Sequence, residues 1–222
     1  VSKTLCSLFM FAILATSSCL VAAEKEEGFS PIFNGETLAG WQRLNGTAIY
    51  TVEDGCIVGR TNEASPNSFL CSMKEYGDFE LKFEVKVDDA LNSGVQIRSA
   101  AFGANPKYRV HGPQVEIATN GTAGFIYGEG LGTGWLSPDE RRADAKKNAA
   151  FKKGEWNEYY VKAVGPHIQT WVNGVAIADL QDEKTEMMSG FIGLQVHGIG
   201  KRQGPYEVRW RNLRIKPLKP AK

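Results

Sequence analysis

Residues 79 to 87 read FELKFEVKV. Phe79, Leu81, Phe83, Val85 and Val87 alternate with Glu80, Lys82, Glu84 and Lys86. Successive side chains of an extended strand point to opposite faces, so this segment is a half-buried strand with one dry face and one wet face. Similar runs follow at VQIRS (95–99), PQVEIAT (113–119), GFIYG (124–128), EYYVKAVG (158–165), HIQTWV (167–172), VAIADL (175–180), FIGLQVH (191–197) and YEVRWRNLRIK (206–216). Asn173-Gly174 suits a two-residue hairpin turn, and Gly165-Pro166 marks another tight connection. Ser137-Pro138-Asp139-Glu140 carries the start signals of one short, charged surface helix over DERRADAKKNAAF. Many short strands, glycine-rich turns and little helix predict an all-β sandwich or jelly roll.

The ends read differently. Lys3, the apolar run from Leu5 to Ala15 and Val21-Ala22-Ala23 have the form of a secretory signal peptide, residues 1–23. The sequence thus predicts an exported protein, periplasmic or extracellular, with no membrane span. Anchoring as a lipoprotein through Cys19 is disfavoured, because Thr16 stands where a leucine-like residue is expected. Residues 24–30 are expected to be a flexible start, 31–217 one β-sandwich domain and 218–222 a tail. The formal charge of +1 falls to zero with the signal, which leaves no bulk attraction for nucleic acid or anionic lipid. Cys56 and Cys71 stand in GCIVGR and NSFLCS, which read as the arms of a hairpin turning near Glu63-Ala64. Export permits a disulfide between them, and two buried thiols are the other reading.

Several strands carry an unusual second face. Gln96 and Arg98 oppose Val95 and Ile97, with Asn92 and Gly94 on their side. Gln114 and Glu116 oppose Val115 and Ile117, and Gln195 and His197 oppose Ile192, Leu194 and Val196. Amides, one arginine, one carboxylate and one imidazole share a parity that elsewhere carries lysine and glutamate. Such groups orient sugar hydroxyls and donate to them, and Tyr127 and Trp135 could stack on a pyranose ring. Singly, each has an ordinary reading: Arg98 and Glu116 as a structural ion pair, the glutamines as outward polar positions, His197 as a satisfied strand end.

Other chemistries lack their signals. Sandwich glucanases set two acids on one strand, as Glu-x-Asp-x-x-Glu, but Ala118 stands two residues after Glu116. Glu129 would be a second acid, drawn from the glycine-rich GEGLGTG, which reads as a mobile loop over the site. His111, His167 and His197 have no metal-ligand spacing. Asp88-Asp89 with Asn92 would suit calcium or a polar turn. No Gly-x-Ser-x-Gly elbow occurs, and GEGLGTG lacks the lysine of a phosphate loop.

IFNGETLAGW, YTVEDGCIVG, NSGVQIRS, GPQVEIA, GFIYGEG, GEWNEYYVKAVG, IQTWVNG and FIGLQVHGIGKRQGPYEVRWRNLRIK, in this order from Pro31 to Lys216, resemble the domain-of-unknown-function 1080 family, the 3-keto-disaccharide hydrolase domain. The resemblance implies a concanavalin-like β-sandwich and a secreted enzyme acting on a small-molecule carbohydrate already oxidised to a ketone at C3. The ketone acidifies the C2 proton, so that β-elimination expels the C1 substituent and hydration completes a net hydrolysis. That route needs one base, stabilisation of the enolate oxygen and an acid. It implies Glu116 or His197 as base, the other as acid, and Arg98 on the oxyanion. Asn92, Gln96, Gln114, Tyr127, Glu129, Trp135 and Gln195 are expected to bind substrate. A divalent metal in place of Arg98 stays open, as does a non-catalytic, lectin-like carbohydrate-binding module. A further reading is an interaction domain in which Arg98 and Glu116 only stabilise the sheet. The mechanism requires Arg98, Glu116 and His197 to converge in one hollow.

Overall fold

The computed structural model describes residues 26–103 and 109–219. The expected signal peptide, residues 1–23, and the last three residues of the expected tail lie outside them. In chain order the elements are β1 (Ser30–Pro31), β2 (Trp41–Leu44), β3 (Ile49–Glu53), β4 (Cys56–Arg60), β5 (Ser68–Tyr76) and β6 (Phe79–Val87). Then come β7 (Ser93–Phe102), β8 (Arg109–Ile117), β9 (Ile126–Glu129), β10 (Gly134–Trp135), α1 (Asp139–Arg142) and α2 (Ala145–Asn148). The chain closes with β11 (Asn157–Val164), β12 (His167–Val172), β13 (Val175–Gln181), β14 (Gly190–Val196) and β15 (Glu207–Pro217).

The strands form two antiparallel sheets. One runs β13-β12-β11-β6-β15-β4-β3, with β1 added on β15; the other runs β10-β9-β8-β7-β14-β5-β2. Their facing sides make the core. Phe79, Leu81, Phe83 and Val85 from β6 are fully buried against Ile97, Val115, Ile192 and Leu194 of the opposite sheet. Each such side chain contributes about 1.5–3 kcal/mol through removal from water. The alternation in FELKFEVKV is thus obeyed residue by residue, and this is the β-sandwich expected. On the outer face of the first sheet Arg60, Arg209 and Arg211 pair with Glu53, Glu207 and Glu84, a wet face of exchanged charges. Asn173 and Gly174 both take positive φ, as the β12–β13 turn demands. No helix among the described residues is long and apolar enough to cross a membrane.

Four expectations change. Of the two readings for Cys56 and Cys71 the buried free thiols hold, and what changes is the hairpin, since the cysteines stand on β4 and β5, which lie in different sheets. The segment between these strands crosses from one sheet to the other instead of turning back as a hairpin. The start of the domain is anchored: from Glu26 the chain is tied to Lys82 and Arg214, and Phe29 is buried. The charged helix is two single turns, with Asp144 capping the second by accepting from the Lys146 and Lys147 amides. Ser137, expected as a cap, is buried and accepts from Ile126 N at 2.8 Å. The GEGLGTG segment forms the β9–β10 hairpin, pairing Gly128 with Gly134 and Tyr127 with Trp135.

Candidate active site

On the outer side of the second sheet, β14, β7 and β8 align two rows of residues. Gln195 faces Gly94 and Gly94 faces Glu116; Gly193 faces Gln96 and Gln96 faces Gln114. Directly opposed residues share a face, so the parity read from the sequence does bring these side chains together. The glycines make room for long amides. A Cβ on Gly94 would lie 2.5 Å from Gln114 Cδ, so the Gln114 side chain lies across that position. Beside the rows is a cleft of about 230 Å³ lined by Asn92, Gln114, Glu116, Tyr127, Glu129, Trp135 and His197. A larger hollow of about 540 Å³ lies by the N-terminal segment, lined by Glu26, Phe29, Glu84, Arg214 and neighbours. Its charges are spent on ion pairs, Arg214 with Glu26 and Arg211 with Glu84.

Glu116 lines the smaller cleft and is 7 % exposed. Asn92 Nδ2 donates to its Oε1, and Gln114 Nε2 donates to its Oε2 at 3.0 Å. Gln114 is held in turn by Gln195, whose Nε2 donates to Gln114 Oε1 at 2.9 Å. The Tyr159 hydroxyl donates to the Glu116 carbonyl at 3.2 Å and fixes the backbone. Burial drives the Glu116 carboxyl up to about 7, against the two amide hydrogen bonds and with help from the charge on Glu129. A carboxyl near 7 exchanges protons readily at neutral pH.

His197 lines the same cleft, just past the end of β14. Its Nδ1 lies 2.8 Å from the Gly198 carbonyl. A carbonyl only accepts, so Nδ1 carries hydrogen and Nε2 is the reactive nitrogen. Glu129 ends β9 rather than standing in a loop, is buried, and pairs with Arg109 Nη1 at 3.2 Å. Tyr127 and Trp135 meet edge to face at 5.4 Å, and the Arg142 guanidinium lies 4.5 Å over Trp135.

Three expected site residues are elsewhere. Gln96 and Gln195 are completely buried behind the cleft floor, beyond reach of a sugar. The start of β8 covers this face. Val110 packs with Leu44, Phe69, Cys71 and Phe191, and its amide donates to Asn45 Oδ1 at 2.9 Å. In the sheet, β8 and β2 are separated by β7, β14 and β5, a spacing of roughly 19 Å in a flat sheet. The contact exists because the hairpin folds across.

Arg98 corrects the expectation most. Its Nε donates to Gly77 O at 2.8 Å, Nη1 to Gly165 O, and Nη2 to Asp78 Oδ1 at 2.9 Å. Those partners belong to turns at the other end of the sandwich, beside core residue Phe79, over whose ring Arg98 lies at 5.9 Å. Along β7, Arg98 stands roughly 13 Å beyond Gly94, the residue opposite Glu116. The β7–β8 register shifts between Gln96 and Ala100, and Arg98 has φ +47°. A left-handed residue at a bulge breaks the two-residue alternation, so the parity holding at Gln96 does not carry to Arg98. Arg98, Glu116 and His197 therefore do not meet in one hollow.

Two further residues support the cleft with little signal in the sequence. Arg109 lies beyond the bulge, where parity no longer predicts a face. Tyr159 falls on an apolar face, and its one signal was a hydroxyl that needs a partner when buried. Among the described residues no group of three or more His, Cys, Asp or Glu is placed to hold a metal ion. Asp88 instead accepts from the Glu207 amide.

The model of the 3-keto-alpha-glucoside-1,2-lyase-like domain matches residues 28–216. A protein of Parabacteroides distasonis ATCC 8503 provisionally assigned as a glycosyl hydrolase is 22% identical, with a TM-score of 0.58 over 87% of this chain and 95% of that one. A second protein so assigned from the same organism is 19% identical, with a TM-score of 0.56 over 86% and 99%. The carbohydrate binding module CBM66 from Bacillus subtilis is 17% identical, with a TM-score of 0.54 over 80% and 95%. At these identities the likeness is one of fold. No curated protein matches the chain.

Proposed function

The chain belongs to the 3-keto-alpha-glucoside-1,2-lyase-like family, within a carbohydrate-active superfamily, and from that premise we propose that it cleaves glycosides carrying a ketone at C3. The observation that carries the reading is Glu116, buried and brought to about 7 in a cleft shared with His197. Glu116, as carboxylate, removes the C2 proton, and the C–H electrons pass toward the C3 oxygen as an enolate. Their return forms the C1–C2 double bond and breaks the bond from C1 to the leaving oxygen. That oxygen takes a proton from Nε2 of His197 in its imidazolium form. Water adding across the new double bond makes the net result hydrolysis. With Arg98 committed elsewhere, the donors for the enolate oxygen are the Tyr127 hydroxyl and the second N–H of Asn92. Trp135 and Tyr127 supply the apolar wall for a pyranose ring.

The test uses the purified protein with methyl 3-keto-α-glucoside and the plain methyl glucoside in deuterated water. The expected result is turnover of the ketone alone, with solvent deuterium at C2 of unreacted substrate when release is slow. A competing reading, sugar binding without chemistry, draws on the fold likeness to CBM66. Binding of the ketone with neither cleavage nor exchange would favour it and reject the enzyme.

A further inference from the structure

We propose that Gln195, though it touches no substrate, is a positioning residue that acts through Gln114 to aim Glu116; the role of Glu116 rests on the reaction proposed above. Gln195 is completely buried, with one amide arm spent on Gln114 Oε1 at 2.9 Å. Accepting there leaves Gln114 no choice of orientation: its Nε2 points to Glu116 Oε2, 3.0 Å away. Asn92 covers Oε1. Amide N–H groups donate and do not accept. A proton arriving on Glu116 must therefore take a lone pair that neither amide covers. The network keeps those lone pairs for the cleft, where the substrate lies.

The arrangement is a poor way to build a core. Gln195 Oε1 is buried with no hydrogen-bond partner among the described residues, and so is Gln96 Oε1. An unpaired buried acceptor costs stability, and packing alone gives no reason to place one here. Gly94 adds a second concession. It is a fully buried strand residue without a side chain, and the space it leaves is where Gln114 lies. Two departures from a well-packed strand, on neighbouring strands, serve the same amide.

The experiment compares wild type with Gln195→Met and, as an independent route to the same amide, Gly94→Ala. The Glu116 carboxyl carbon is followed by NMR across pH, assigned through Glu116→Gln, together with kcat/KM on the 3-keto-glucoside and Tm. Gln195→Met should raise the pH at which Glu116 titrates, because a donor to its charged form is loosened. The acid limb of kcat/KM should move the same way, and kcat/KM at neutral pH should fall roughly tenfold to a hundredfold. Tm should fall only slightly, because the unpaired Gln195 Oε1 is removed while Gln114 Oε1 loses its donor. Gly94→Ala should shift the titration in the same direction, and Gln195→Met alone decides if that variant fails to fold. An unmoved Glu116 titration overturns the proposal whatever the activity, and a lowered Tm with unmoved titration assigns Gln195 a purely structural role. Should wild type leave the ketone intact while the titration still shifts, the reaction falls and the positioning stands.

Discussion

Replacing Glu116 by Gln should abolish a pH dependence of stability that the wild type carries. Burial holds the folded carboxyl at about 7, against 4.5 when exposed. Between those values the folded protein keeps a proton that the unfolded chain has released. The unfolded state thus binds fewer protons, and stability falls as pH rises. The contribution is complete below about 4.5, declines through the window up to about 7, and is gone above it. At about 1.4 kcal/mol per pH unit, that window corresponds to about 3 kcal/mol. The amide of Glu116→Gln also turns an N–H toward Asn92 Nδ2 or Gln114 Nε2, both donors, at a cost of about 1–3 kcal/mol. That cost does not vary with pH. The deciding quantity is therefore the wild-type minus variant stability at pH 4.5, less the same difference at pH 8, from urea unfolding followed by tryptophan fluorescence. Other titrating groups are common to both proteins and cancel. The expected value is about 3 kcal/mol, with wild type losing ground at the higher pH. Agreement of the two differences within about 0.5 kcal/mol would refute the account of Glu116 as a desolvated carboxyl.

The remaining expectations concern the residues that changed role and the aromatic wall. Arg98→Met should destabilise the fold by about 2–4 kcal/mol in urea unfolding, because it leaves Asp78 without its counter-charge and the part-buried carbonyls of Gly77 and Gly165 without their donor. Sugar affinity of the folded fraction should hold; lost activity at wild-type stability would instead return Arg98 to the site. Trp135→Ala should weaken binding of the 3-keto-glucoside roughly tenfold by calorimetry, through loss of stacking area. Its Tm should change little, since Trp135 is only half-buried.

Much of the site was legible because its parts lie on regular strands. Gln114 and Glu116, two apart on β8, necessarily share a face, and Gln195 shares it once β14 is placed two strands away. Asn92, Tyr127, Trp135 and His197 were read from residue type and position, and all four line the cleft with Glu116. The misreadings have two causes: at Arg98 the alternation is broken by the backbone, while Gln96 and Gln195 keep their face and that face is covered. Arg98 sits at a register shift with positive φ, and the cover over Gln96 and Gln195 comes from contacts such as Val110 with Asn45 that join distant strands.

Regular strands carry their faces in local pattern: alternation is a property of each strand's own covalent geometry, so FELKFEVKV and PQVEI declare their dry sides without reference to any partner. The sequence shows equally that three strands each carry amides, an acid or an imidazole opposite an apolar face. Which strands are neighbours, and which of those groups touch, follows from the folded pairings alone. The left-handed turn at Arg98, the hairpin folded from β8 to β2, and the separation of Cys56 from Cys71 all depend on pairings between distant residues, whose energies no local pattern contains. The same holds for the near-neutral Glu116, since desolvation is a sum over neighbours that the fold alone brings together.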